Sequence, residues 1–212
     1  MRFLAYDGPL FRFLDKAVDC ILISLLWFVA SLPVVTGGAA TVALYHTVNK
    51  VVREEEGTIW KTFWRAFGRD FWQATGIWVI FVVFYGASLM TFLIIYNAKL
   101  NVGLMLPLLV ALILVTLWTQ YWYPYLSRFE DKTKALLKNT LVMLFVDFLR
   151  SIKLLLMLVI CVVLLGVGLI YAPIIIPFLP AVYVLMANRT VDKVFGRYID
   201  TETETATEQE FE

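Results

Sequence analysis

Charge is scarce in this 212-residue chain. Asp, Glu, Lys and Arg make up 17% of it, against about 25% in soluble domains. The 18 basic and 17 acidic residues nearly cancel, so net charge points to no nucleic-acid partner. There is a single histidine, His46, and there are two cysteines, Cys20 and Cys161. No zinc-binding spacing or disulfide framework exists, and both cysteines read as small apolar packing residues. His46 has no cysteine or paired carboxylate near it, so it reads as a packing histidine rather than a metal ligand or base. No catalytic serine motif occurs, and Gly37–Gly38 is not followed by the lysine that a phosphate-cradling loop needs. The sequence therefore gives no catalytic, metal or cofactor site, and it is read as non-enzymatic.

What is abundant is apolar: 61% of the chain. Four runs lack formal charge: Cys20–Asn49, Phe71–Ala98, Leu100–Ser127 and Leu154–Asn188. A bilayer core takes about 20 helical residues. The two middle runs are each one comfortable span, whereas the outer two are too long for one and carry breakers. Pro173, Pro177 and Pro180 divide the last into two arms, with Pro173 suited to the first turn of a new helix and a kink at Pro180. In the first run, "SLPVVTGGAATVALYHTVNKVV" either ends a span at Pro33 or turns back as a hairpin. The apolar run begins behind Arg2, Asp7, Arg12, Asp15, Lys16 and Asp19, unlike a signal peptide.

Basic residues decide between the two, because they concentrate on the cytoplasmic side. Five spans divide them 14 to 4; six leave Lys99 alone outside against 17 inside. The expected architecture is an all-α polytopic membrane protein with six transmembrane helices (alternative five) and two amphipathic cytoplasmic helices. One membrane domain covers 1–198, with spans at about 14–32, 35–52, 72–96, 101–125, 152–171 and 174–188. The hairpin turn, 33–38, faces outward, and both termini are cytoplasmic. The second arm is poor in bulk, and Gly37, Gly38, Ala39 and Ala43 give it a small-residue face for close helix packing. It should be sheathed by its neighbours.

Two connections read as surface helices. In 58–71, Trp60, Phe63, Trp64, Phe67 and Phe71 form one stripe at helical spacing. That suits a helix lying under the bilayer or a helix that docks a partner. In 128–149, Leu137, Leu141, Leu144 and Phe148 form another, and Ser127 with Glu130 fits a capping box. The two segments align without gaps 77 residues apart, so that Asp70–Phe71 meets Asp147–Phe148, which hints at a duplicated span–helix–span unit. Residues 199–212 are acidic and read as a disordered tail. Candidate intramembrane polar contacts are Asp19, His46 and Gln120. "TLWTQYWYPY", 116–125, mixes rings with hydrogen-bonding groups, as sugar sites do, but a membrane-edge aromatic belt is the simpler reading.

The run from Asp7 to Thr75, carrying "GPLFRFL", "SLPVVTGG", "ALYHTV" and "REEEGTIWKTFWRAF", resembles the amino-terminal half of the YesL-like family, and the similarity continues more loosely to about Gly196. That family consists of bacterial integral membrane proteins with a domain of unknown function, often encoded beside carbohydrate importers. The resemblance implies a bacterial plasma membrane protein tied to carbohydrate uptake, and no functional residues come with it. The expected function is an accessory or assembly subunit for an importer of the ATP-binding cassette type. Its partners are the bilayer, importer permease or ATPase subunits, and possible further copies of itself. A stand-alone channel or carrier, or a membrane sensor, is the alternative.

Overall fold

The computed structural model describes residues 9–98, 103, 105–129, 132–171 and 173–210. Among them there is no strand. The α-helices are α1 Pro9–Ser31, α2 Gly37–Thr47, α3 Ile59–Arg69, α4 Phe71–Asn97, α5 Met105–Leu126, α6 Thr133–Val146, α7 Phe148–Tyr171 and α8 Leu179–Glu210. Short 3₁₀ segments at Val34–Thr36 and Pro173–Phe178 and a π-helical segment at Val48–Arg53 join them. The all-α class is observed, and α4, α5 and α7 are long and apolar enough to cross a membrane.

Three elements differ from expectation. α6 begins at Thr133 with Lys132 as its N-cap residue, not at a Ser127 capping box. Ser127 still belongs to the closing turn of α5: its N–H donates to the Tyr123 carbonyl and its hydroxyl to the Pro124 carbonyl at 2.8 Å. Glu130 lies outside the described residues. The last hairpin arm becomes an α-helix only at Leu179, after a 3₁₀ turn that starts at Pro173. Pro180 then falls in the first turn of α8, where its missing N–H leaves no hydrogen bond unmade, so it opens the helix rather than kinking it. The acidic stretch from 199, read as disordered, runs on as α8 to Glu210; it contains no glycine or proline to stop the helix.

α2 lies at the centre. Ala40, Val42 and Ala43 are fully buried and Ala39 nearly so, and the helix packs against α1, α3, α4, α5 and α8. The small residues allow this. A Cβ on Gly38 would lie 2.4 Å from Cβ of Trp78 and 2.7 Å from the Ala74 carbonyl oxygen, closer than atoms can approach, so only glycine lets α4 come so near. Ala40 and Ala43 meet Phe63 and Ala66 of α3 and Ala30 of α1 in a compact cluster.

The turn between α1 and α2 bonds to itself and to α4. Thr36 N–H donates to the Pro33 carbonyl (2.8 Å), the Thr36 hydroxyl to the Ala30 carbonyl (2.6 Å), and the Trp78 indole N–H to the Val34 carbonyl (2.7 Å). Trp78 is seven residues into α4, about 10 Å along a helix about 40 Å long. The turn therefore meets α4 near its beginning, far from the α4–α5 connection.

The 77-residue offset reappears in the backbone. α3 ends, Asp70 intervenes and α4 starts; α6 ends, Asp147 intervenes and α7 starts. Asp70 N–H donates to Ala66 and the Asp70 carbonyl accepts from Ala74; Asp147 N–H donates to Met143 and its carbonyl accepts from Ser151. Each partner is displaced by the same 77 positions. Both aspartates are buried at the joint, and arginines hold them: Arg69 on Asp70, Arg150 and Arg197 on Asp147.

Candidate functional site: a basic two-lobed pocket

α2 does not end cleanly. Its last turn loosens into the π-helical segment Val48–Arg53, a rare form often found at functional positions, and the chain then passes Glu55 and Gly57, both with positive φ (59° and 82°). Non-glycine residues seldom adopt that conformation, and a Cβ on Gly57 would in addition lie 3.0 Å from the Thr62 hydroxyl oxygen. The segment turns Asn49, Lys50 and Arg53 toward the close of α5 and the middle of α8.

There a polar network forms. Arg53 Nη2 donates to Asp192 Oδ2 at 2.5 Å, and Arg128 Nη1 to Asp192 Oδ1 at 2.6 Å. Arg128 Nη2 also reaches Asn188 Oδ1 (3.1 Å), and Asn188 Nδ2 donates to Asn49 Oδ1 (2.9 Å), which accepts from Arg53 Nη1 as well (2.9 Å). Asn188 is fully buried and Asn49 nearly so; such amides are stable in an interior only when bonded, and both are. His46 Nδ1 donates to the Ser127 carbonyl at 2.9 Å, tying α2 to the end of α5.

Around this network lies a cavity of about 570 Å³, whose walls include Lys50, Arg53, Arg128 and Asp192. A second lobe of about 260 Å³ shares His46 and Lys50 with it and is otherwise lined by Gly57, Thr58, Lys61, Thr62 and Arg65. Among the described residues, no carboxylate lines the smaller lobe. This arrangement can hold an anion; among the described residues no group of His, Cys, Asp and Glu could hold a metal ion.

The sequence-derived candidates fall in several places. His46 is the one that lines both lobes. Asp19 lies on α1 in a separate groove with Asp15, Lys16 and Glu55. Gln120 accepts a hydrogen bond from the Tyr183 hydroxyl of α8. Gly37 and Gly38 face Trp78, while Ala39 and Ala43 lie in the core around α2. The aromatic stripe of α3 is divided. Phe63 is fully buried and Phe67 is packed on the core, while Phe71, expected on the same helix, lies beyond the break at Asp70 and opens α4, where it too packs on the core. Trp60 and Trp64 point outward, 63% and 37% exposed; Trp60 borders an apolar groove with Leu22, Leu25 and Val29 of α1. One face of α3 thus belongs to the fold, and only the tryptophans are left for lipid or a partner.

The rings of the 116–125 segment are turned into the bundle rather than outward as a lipid-facing belt would be. Tyr121 and Trp122 are fully buried, and its polar tips go to different helices. The Thr116 hydroxyl meets Tyr85 of α4, Trp118 Nε1 donates to Thr140 of α6, and the Tyr121 hydroxyl meets Ser151 of α7. These hydrogen-bonding groups bind the bundle together.

Asn49, Arg53, Arg128, Asn188 and Asp192 were not singled out by sequence reasoning. A signal did exist. The two overlong charge-free runs end at Asn49 and at Asn188, and those two amides meet.

Residues 20–92, about a third of the chain, match a family described as "Protein of unknown function, DUF624". The matched stretch runs from α1 through the hairpin and α3 into most of α4, and it contributes the π-helical segment and the acid-free lobe. No curated protein and no solved structure matches the chain.

Proposed function

We propose that this chain is a non-catalytic accessory or assembly subunit in a bacterial plasma membrane, acting with a carbohydrate importer of the ATP-binding cassette type. The observation that carries a non-transporting role is the closed interior. Where a carrier needs a passage, the small residues of α2 are packed against Phe63, Trp78, Phe81, Tyr121 and Trp122. The resemblance to YesL-like proteins supports the importer as partner. The outward tryptophans of α3, above an inner face already used by the fold, support a lipid-side or partner-side contact.

The topology that fits this role has both ends of the α1–α2 hairpin on the cytoplasmic side, with both termini. The charge division of 17 to 1 favours it, and it favours six full crossings and a hairpin that enters part-way to the same extent. Leu32, Val34 and Val35 at the turn are apolar and exposed, and the turn's backbone is bonded internally, as lipid contact requires. Cysteine at Leu32 is the suitable topology probe, since Gly38 has no room for a side chain. Labelling of Leu32→Cys by a membrane-impermeant maleimide from outside alone supports six crossings; labelling from neither side supports the partial hairpin; labelling from the cytoplasm overturns both.

The functional test is purification of the tagged chain from its native membrane in mild detergent, followed by mass spectrometry. Recovery of importer permease or ATPase subunits, reduced by Trp60→Ala/Trp64→Ala, is the expected result. Recovery of no importer component overturns the proposal. A stand-alone channel or carrier would instead move sugar or ions in liposomes holding this protein alone.

A further inference from the structure

The two adjoining lobes beside the π-helical segment share His46 and Lys50, and the accessory role makes no use of them. We propose that they bind a phosphate-bearing, hydroxyl-rich molecule, with the phosphate in the smaller lobe among Lys50, Lys61 and Arg65. This is independent of the importer reading.

Charge is the first reason. Six cations, Lys50, Arg53, Lys61, Arg65, Arg69 and Arg128, line the two lobes. Arg53 and Arg128 share one carboxylate, Asp192. Asp70 neutralises Arg69, and Glu56 sits 3.6 Å from Lys50. Glu54 is the remaining acid in the walls. Lys61 and Arg65 have no ion-pair partner among the described residues, so six cations face four carboxylates, and the surplus collects in the lobe that no carboxylate lines.

Shape and donors are the second reason. The smaller lobe has room for a phosphate group, and Lys50, Thr58, Lys61, Thr62 and Arg65 line it; these residue types supply the hydroxyl, ammonium and guanidinium donors that phosphate oxygens accept best. Thr58, the N-cap residue of α3, makes no side-chain capping bond, so the first-turn N–H groups of α3 add positive potential on the same side. The larger lobe is different. Asn49, Arg128 and Asp192 mix donors with acceptors, which suits hydroxyl groups rather than a second phosphate. Lys50, Lys61 and Arg65 come from the π-helical segment and α3, and the hydroxyl-binding groups also from the turn after α5 (Arg128) and from α8 (Asp192), so a bound ligand would bridge the matched third of the chain to the rest.

A sugar or polyol phosphate and the glycerophosphate headgroup of a membrane lipid share this chemistry, and basic pockets between membrane helices do take lipid headgroups. The experiment separates them. Full-length protein in a neutral maltoside detergent is titrated with glycerol 3-phosphate and with glycerol, followed by ³¹P line broadening and thermal unfolding. The same protein is compared in nanodiscs of phosphatidylcholine with and without phosphatidylglycerol. Lys61→Ala/Arg65→Ala removes two exposed side chains from the lobe, and Lys134→Ala/Lys138→Ala makes the same charge change on α6. Saturable binding of glycerol 3-phosphate, weakened at least tenfold by the α3 pair and unchanged by the α6 pair, is expected and assigns a soluble ligand. The same contrast with phosphatidylglycerol alone assigns a lipid headgroup. No saturable binding of either probe, or equal loss in both double variants, overturns the proposal.

Discussion

α2 and α7 are opposites. α7 has the most apolar stretch of the three candidate spans, yet only 11% of that stretch is buried within the protein. α2 is 11 residues long, built of glycine, alanine, threonine and a few larger residues, and all of it but Gly37, Thr41 and His46 is buried. In a soluble protein the more apolar helix would be the more buried one. In a membrane, lipid is as apolar as a protein core, so hydropathy reports what can face lipid, and close packing selects for small side chains instead. Among the segments expected to cross the membrane, the one poorest in large apolar side chains is packed most closely.

That contrast can be broken most directly with glycine. Gly38→Leu on α2 forces a side chain into Trp78 and the Ala74 carbonyl, and it is expected to cost about 3 kcal/mol or more. Gly166→Leu on α7 meets open space and should stay within about 0.5 kcal/mol of wild type. Thermal unfolding in detergent compares them, and equal effects would sink the contrast. Truncation sharpens it from the other side. Leu44→Ala, at a nearly buried site, should lose about 2 to 3 kcal/mol, whereas Leu156→Ala, 59% exposed on α7, should lose almost nothing.

Polar anchors give smaller effects. Asn188→Leu takes from Asn49 Oδ1 one of its two donors and leaves one Arg128 donor unpaired next to the end of α2, and a loss of about 2 kcal/mol is expected. Denaturant midpoints measure it. Gln120→Leu removes the bond to Tyr183 across α5 and α8; such interhelical bonds average about 0.6 kcal/mol in membranes, so a loss near 1 kcal/mol is the upper expectation. If Gln120→Leu cost more than Asn188→Leu, the α5–α8 contact rather than the polar end of α2 would be the stronger clasp.

Much of the fold was legible. Helical periodicity and charge-free run length located α4, α5 and α7, and the stripe of Trp60 to Phe71 located α3. The small-residue face of Gly37 to Ala43 announced close packing, and Gly38 against Trp78 is its sharpest instance. The start of α6 was misread because Ser127 and Glu130 fit a local rule, while Ser127 was already committed to the last turn of α5. The hydrogen-bonding ring of 116–125 was misread because its composition is the same whether it meets lipid or five other helices.

The candidate pocket was the least legible part. His46 was noticed as a solitary residue, but its bond to Ser127 spans 81 positions, and Asn49 and Asn188 are 139 apart. By itself the sequence determined that the chain is helical, membrane-compatible and asymmetric in charge, because run length, period and the position of lysines and arginines are properties of local sequence. Only the tertiary structure decided which helix is enclosed and which cations share a carboxylate. It also decided that Lys61 and Arg65 open on a lobe that no acid lines. Those facts depend on distances between distant segments, and the apolar code that builds each helix is the same on its lipid side and its protein side.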